Sequence, residues 1–215
     1  MQKQATINDV ARIAGVSKRT VSRVINGSLS VGDATRTRVE KVISELKYSP
    51  NTQARGLASS RSYLLGLIYD NPDALYLDDV QRGVLEVCSN LGYELVVHPC
   101  RYRSETLVQD CLNFINRSKL DGVIVLPPVS ELESLAEALK NAGRPYVRLT
   151  SVAIDEPQHI VVSDDRSAAA EMARYFAQLG HTDIAFISGP QRYKSSTERM
   201  EGFKLGLSAY GITLQ

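Results

Sequence analysis

The chain has 215 residues, 43% hydrophobic and 23% charged, a balance that fits a globular protein of one or two domains. Its start, "MQKQATIND", has no apolar export segment, and no window approaches the roughly 20 apolar residues of a membrane span, so a cytoplasmic protein without membrane contact is expected. The net charge of +1 hides an asymmetry: residues 1–62 hold 11 Lys and Arg against 4 Asp and Glu, or +7, which leaves −6 on the remainder. A basic head on an acidic body implies that the head meets a polyanion such as nucleic acid.

In chain order, apolar positions first recur at helical spacing. Ile7, Val10, Ala11 and Ala14 form one set, Val21, Val24 and Ile25 a second, and Val39, Val42, Ile43 and Leu46 a third, which predicts three short helices. Gly15 falls between the first two, where a tight turn favours positive φ, and Ser17 is placed to cap the second. On that second helix Val21, Val24 and Ile25 share one face, while Lys18, Arg19, Ser22, Arg23 and Asn26 share the other. A helix-turn-helix needs this division, because one side locks against partner helices and the other enters the major groove. Lys and Arg donate to guanine O6 and N7, and Thr20 and Ser22 flank them for phosphate or base contacts. A small bundle with an incidentally basic helix is the bland alternative; the turn, the cap and the +7 head together favour DNA. The residues expected at the DNA from this region are Thr6, Ser17, Lys18, Arg19, Thr20, Ser22, Arg23 and Asn26.

Residues 50–61 read as a linker. Pro50 suits the first turn of a short helix, Gly56 makes that helix marginal by itself, and Leu57 is the one large apolar side chain in it. After it, strand candidates at 63–69, 94–98, 121–126, 145–149, 159–163 and 183–188 alternate with helix candidates at 77–90, 104–117, 131–142, 166–179 and 196–210. That alternation predicts a parallel sheet covered on both faces, with continuously apolar strands. There is no GxGxxG turn, no P-loop, no metal-ligand spacing, and the three His are scattered, so neither an enzyme nor a bound cofactor or metal is expected. Cys88, Cys100 and Cys111 read as reduced, partly buried thiols.

The stretches "TINDVARIAGVSKRTVSRVING" and "TRTRVEKVISELKYSPNTQARGLAS" resemble the N-terminal region of the LacI/GalR family of bacterial transcription regulators. The likeness continues in "LGYEL", "DGVIVLPP", "VVSDDRSAAAEMARYFAQLGHTDIAFISGP" and "ERMEGF", and so covers essentially the whole chain. The resemblance implies that Lys18, Arg19 and Arg23 read bases and that Asn26 lies near the DNA backbone. It also implies a hinge helix over Asn51 to Ala58, with Leu57 entering the minor groove; an apolar wedge there kinks DNA, and the small Ala54 lets two such helices pack closely. A role for Leu57 in anchoring the linker stands beside that one.

For the body, the resemblance implies an architecture like that of a periplasmic sugar-binding protein, two α/β lobes around a ligand cleft. It offers Asp70, Asn71 and Tyr76 after the first strand, and Arg199 as an effector-binding residue whose donors suit hydroxyls, a carboxylate or a phosphate equally. Thr150 at a strand end and Asp164 are weaker candidates, each with a capping or surface role as the alternative. Family members continue past the position of Gln215, so an incomplete second lobe is expected. The fold class is then α/β, with a small all-α helix-turn-helix domain (1–49), a hinge helix and linker (50–61) and a parallel-sheet effector-binding and dimerisation body (62–215). The implied function is a repressor that binds double-stranded, pseudo-palindromic operator DNA as a homodimer, under the control of a sugar-like small molecule. A ligand-binding protein without regulatory output and an architectural DNA binder are the rival classes. The basic head speaks against the first and the base-reading side chains against the second.

Overall fold

A computed structural model of the chain describes residues 5–25, 27–48, 61–70 and 73–214. They belong to two units, Met1–Arg61 and Ser62–Gln215.

The first unit is three helices, α1 (Ile7–Ala14), α2 (Lys18–Ile25) and α3 (Asp33–Glu45). Their apolar stripes meet in a small core of Val10, Ala11, Ala14, Val21, Val24, Val31, Val39 and Val42, against which Ile43 and Leu46 pack. Gly15 ends α1 at φ 64° and returns its N–H to the carbonyl of Ala11, a left-handed geometry that a Cβ would strain. That one residue turns the chain from α1 into α2.

The second unit is built on five parallel strands: β1 (Leu64–Tyr69), β2 (Glu94–Pro99), β3 (Gly122–Val125), β4 (Tyr146–Thr150) and β5 (Ile160–Val162), in the order β2-β1-β3-β4-β5. The intervening helices are α4 (Ala74–Leu91), α5 (Leu107–Ser118) and α6 (Glu133–Asn141). Phe114, Ile115, Leu135 and Leu139 of α5 and α6 pack on Ile68, Val123 and Val125 of β1 and β3, forming the main core. Strand order reverses at β1, which places a crevice at the carboxyl ends of the strands.

The outer strands are not the continuously buried runs that the sequence predicts. Residues of β2 are only partly covered, and Val161 and Val162 of β5 are 56% and 43% exposed. An edge strand has a neighbour on one side only, and these two valines border the cavity described below.

Two further helices, α7 (Asp165–Gln178) and α8 (Lys194–Ser208), pack against each other through Ala173, Phe203 and Leu207. Gly202 and Gly206 let them approach closely, because a Cβ at either would collide with the carbonyl of Arg166 or Ala170 on α7. The strand predicted at 183–188 is not formed: among the described residues no strand pairs with it. Ile184 and Phe186 still pack on the α7–α8 core while Ile187 is 97% exposed, so the alternation is satisfied by side-chain packing without a ladder.

Candidate functional site

In the first unit the hydroxyl of Ser17 accepts the N–H of Thr20 at 3.1 Å and lies 2.9 Å from the Thr20 hydroxyl, capping α2. Both hydroxyls are thereby engaged in starting the helix. Val21 and Val24 then anchor α2 in the core, which leaves Lys18, Arg19 and Arg23 exposed on the opposite side. Among the described residues none of the three has a carboxylate partner. Arg12 on α1, by contrast, lies 3.5 Å from Asp9, and Arg36 on α3 donates to the carbonyl of Ser28 at 2.6 Å. Thr20 and Ser22 are half-buried beside the cations. Thr6 donates its hydroxyl and its N–H to Asp9 at 2.7 and 3.0 Å, so it holds the start of α1. Those two bonds also keep the Asp9 carboxyl below its ordinary pKa. Asn26, Asn51, Ala54 and Leu57 lie outside the described residues.

In the second unit a cavity of about 530 Å³ opens at the carboxyl ends of the strands, where Pro127 follows β3, Thr150 ends β4 and Ser151 follows it, and Ser163 follows β5. Tyr76 of α4 and Arg199 of α8 also line it. At its centre is Asp165, the first residue of α7. It accepts hydrogen bonds from Ser151 Oγ at 2.6 Å, Ser163 Oγ at 2.8 Å and Arg199 Nε at 2.6 Å. Burial pushes the Asp165 carboxyl up, but these three donors outweigh it and hold it below the usual carboxylate range. Burial and the nearby Asp165 charge raise the Tyr76 phenol, which therefore stays neutral and keeps its donor. A carboxylate with one lone pair still free, a guanidinium with donors to spare and an aromatic wall suit a ligand rich in hydroxyls.

The expected residues divide. Tyr76, Thr150 and Arg199 line the cavity; Thr150 is buried and its Oγ1 accepts the N–H of Val152 at 3.3 Å. Asp164 does not line it: its carboxylate caps α7 by accepting the Ser167 N–H at 3.0 Å, a bond that also lowers its pKa. Asp70 is not among the residues lining this cavity either, and accepts the N–H of Tyr102 at 2.7 Å in a neighbouring depression. Asn71 lies outside the described residues. Sequence reasoning missed Asp165, Ser151 and Ser163. The signal was available, since all three sit at or just past the carboxyl end of a strand, where ligands of open α/β sheets bind.

Beneath the cavity, Arg148 of β4 is 2% exposed and serves the framework. It donates to the Ser130 carbonyl at 2.6 Å and to Asp155 Oδ2 at 3.0 Å, an oxygen that the Tyr146 hydroxyl also reaches at 3.0 Å. Burial pushes Tyr146 up to about 12, and its hydrogen bond to Asp155 adds to the shift. Cys88 and Cys111 are buried and Cys100 half-buried, all as free thiols. Among the described residues no group of His, Cys, Asp and Glu is arranged to hold a metal ion, and no helix is long and apolar enough to cross a membrane.

Two family models match this division of the chain. Residues 6–51 match the bacterial regulatory proteins of the lacI family, and residues 62–215 match the periplasmic binding proteins and sugar binding domain of the LacI family. The chain belongs to the LacI family. Among its curated LacI-family relatives, the HTH-type transcriptional repressor PurR of Vibrio vulnificus (strain CMCP6) is 33% identical over 216 residues, covering 98% of this chain and 63% of the relative. The chain thus spans less than two thirds of that regulator's length. Among solved LacI-family structures, the lac repressor dimer bound to operator and the anti-inducer ONPF aligns with a TM-score of 0.70 at 28% identity, over 99% of this chain and 64% of the other. The complex of the regulator CelR with cellobiose aligns with a TM-score of 0.59 at 29% identity, over 98% of this chain and 63% of the other. These LacI-family relatives are transcription regulators and not enzymes.

Proposed function

We propose that this LacI-family chain is a sequence-specific DNA-binding regulator of transcription in the cytoplasm, acting as a repressor. The observation that carries the reading is the exposed cationic face of α2, in which Lys18, Arg19 and Arg23 stand without carboxylate partners among the described residues, on a helix locked from behind by Val21 and Val24. One such helix touches only a few base pairs, so useful specificity calls for two copies on a pseudo-palindromic operator. The lac repressor dimer on its operator supports that arrangement by similarity. The hinge part, with Leu57 as a minor-groove wedge flanked by Asn51 and Ala54, rests on the sequence.

The second half of the proposal is control by a hydroxyl-rich small molecule bound among Asp165, Ser151, Ser163, Tyr76 and Arg199. The cellobiose complex of a relative supports a sugar as the kind of ligand. Coupling between such a ligand and operator affinity is typically worth about 1–3 kcal/mol. The test is selection of bound sequences from a random DNA pool with the whole chain, repeated with candidate sugars and with Arg199→Ala. Enrichment of a dyad-symmetric sequence, a sugar-dependent change in its affinity, and loss of that response alone in Arg199→Ala are the expected results. Equal recovery of all sequences would reduce the protein to a non-specific binder.

A further inference from the structure

The depression next to the main cavity carries a second chemistry. It has a volume of about 370 Å³ and is lined by Asp70, Arg101, Tyr102, Arg103 and Arg192. Arg192 lines the larger cavity as well, so the two spaces adjoin at that residue.

The loop that supplies two of the arginines is firmly built. Asp70 accepts the Tyr102 N–H at 2.7 Å, Cys100 returns its N–H to the Tyr69 carbonyl at 2.9 Å, and the Ser104 N–H reaches the Arg101 carbonyl at 2.9 Å. Within the run Cys100-Arg101-Tyr102-Arg103, Cys100 and Tyr102 pack on the main core while Arg101 and Arg103 are exposed, so the alternation projects both guanidinium groups outward. Among the described residues neither guanidinium has a carboxylate or hydrogen-bonding partner. Arg192 enters from the loop before α8 and is held 4.9 Å over the ring of Tyr193, a cation–π contact that leaves most of its donors available.

Three guanidinium groups around one space repel each other, and Asp70, already engaged with Tyr102, supplies a single compensating charge. An anion bound there relieves the repulsion. The number of cations argues for more than a carboxylate: a phosphate monoester brings about −1.5 to −2 charges and three acceptor oxygens, matching three forks, where a carboxylate has two oxygens and one charge. We infer that the effector of this chain is a phosphorylated sugar, its hydroxyls taken by the Asp165–Arg199 cavity and its phosphate by Arg101, Arg103 and Arg192. The inference rests on the effector reading above and adds the ligand's charge to it.

The test is calorimetric titration of the whole chain with glucose, fructose, galactose and mannose, their 1- and 6-phosphates, their uronates where these exist, and inorganic phosphate. The same set is applied to the variant carrying Arg101→Gln, Arg103→Gln and Arg192→Gln, and to Arg103→Gln alone, with circular dichroism confirming that each is folded. The expected result is that one hexose phosphate binds at least about tenfold more tightly than its parent hexose. The triple variant should lose about 10- to 100-fold for the phosphate, and Arg103→Gln, at a residue that does not line the larger cavity, should weaken the phosphate while the parent hexose is unchanged. A hexose bound as tightly as its phosphate, a uronate preferred over both, or a triple variant that keeps the preference would overturn the inference and leave the effector reading standing. If inorganic phosphate binds in an arginine-dependent way and no sugar does, the anion site holds and the sugar reading falls. If nothing in the set binds or alters operator affinity, both fall.

Discussion

On α2 of the first unit, Lys18, Arg19 and Arg23 are exposed and have no carboxylate partner among the described residues, whereas in the second unit Arg148, Arg166 and Arg199 sit 3.0, 2.7 and 2.6 Å from Asp155, Glu198 and Asp165. The two units use the same side chain for opposite ends. Cations held by internal carboxylates build a framework and a polar cavity; cations left without them keep their full charge for an external anion. The +7 of the head therefore acts outward, while Arg148, Arg166 and Arg199 of the body are held by its own carboxylates.

Removing a partner from the paired set should do the most damage. Asp155→Ala leaves the buried guanidinium of Arg148 beside the Ser130 carbonyl with only the exposed Glu133 carboxylate, 3.6 Å away, to offset its charge, and should lower the stability of the body by about 3 kcal/mol, read by urea unfolding. A loss below 1 kcal/mol would mean that the pair is no more than a surface contact. In the unpaired set, Arg23→Ala should leave stability unchanged and weaken operator binding by about 1–3 kcal/mol at one base position, measured by competition with operators altered one base pair at a time. A uniform loss on every sequence would make Arg23 a phosphate contact. Ser17→Ala removes the cap that starts α2 and should destabilise the head by about 1 kcal/mol, seen as a lower melting temperature of the helical signal.

The smallest expected effect is on pH. Asp165 is held below its ordinary value by Ser151, Ser163 and Arg199, so the stability that its charge contributes is complete above that ordinary value, near pH 4, and disappears as the pH falls through the depressed one. Affinity of the cavity for an uncharged sugar should accordingly stay flat from pH 7 to about 5 and fall only in stronger acid. A decline already at pH 6 would point to a different titrating group.

Much of the comparison was legible before folding. The valines of α1, α2 and α3 recur with the helical period, Gly15 marks the turn and Ser17 the cap, because each of these depends on residues at most four apart. Lys18, Arg19 and Arg23 follow as the polar complement of the Val21–Val24 stripe. The cavity was half legible. In the adjacent pair Asp164–Asp165 the two carboxylates are the same in composition and neighbourhood, yet one turns back to cap its own helix and the other reaches Ser151 and Arg199. The predicted strand at 183–188 failed for a related reason: its alternation is real, but a strand also needs a partner, and alternation is equally satisfied by packing Ile184 and Phe186 on two helices.

The sequence by itself determined the helix-turn-helix, the parallel α/β alternation, the charge asymmetry and the family, since these rest on local periodicity, turn chemistry and motif spacing. Only the tertiary structure decided that Asp165 and not Asp164 faces the cavity, that Asp70 holds the loop of Arg101 and Arg103, and that Arg192 joins them from a segment some ninety residues later. The physical reason is that a site is made by side chains meeting across strand ends and loops. Which of two equivalent groups arrives there depends on backbone directions that are set by packing far along the chain.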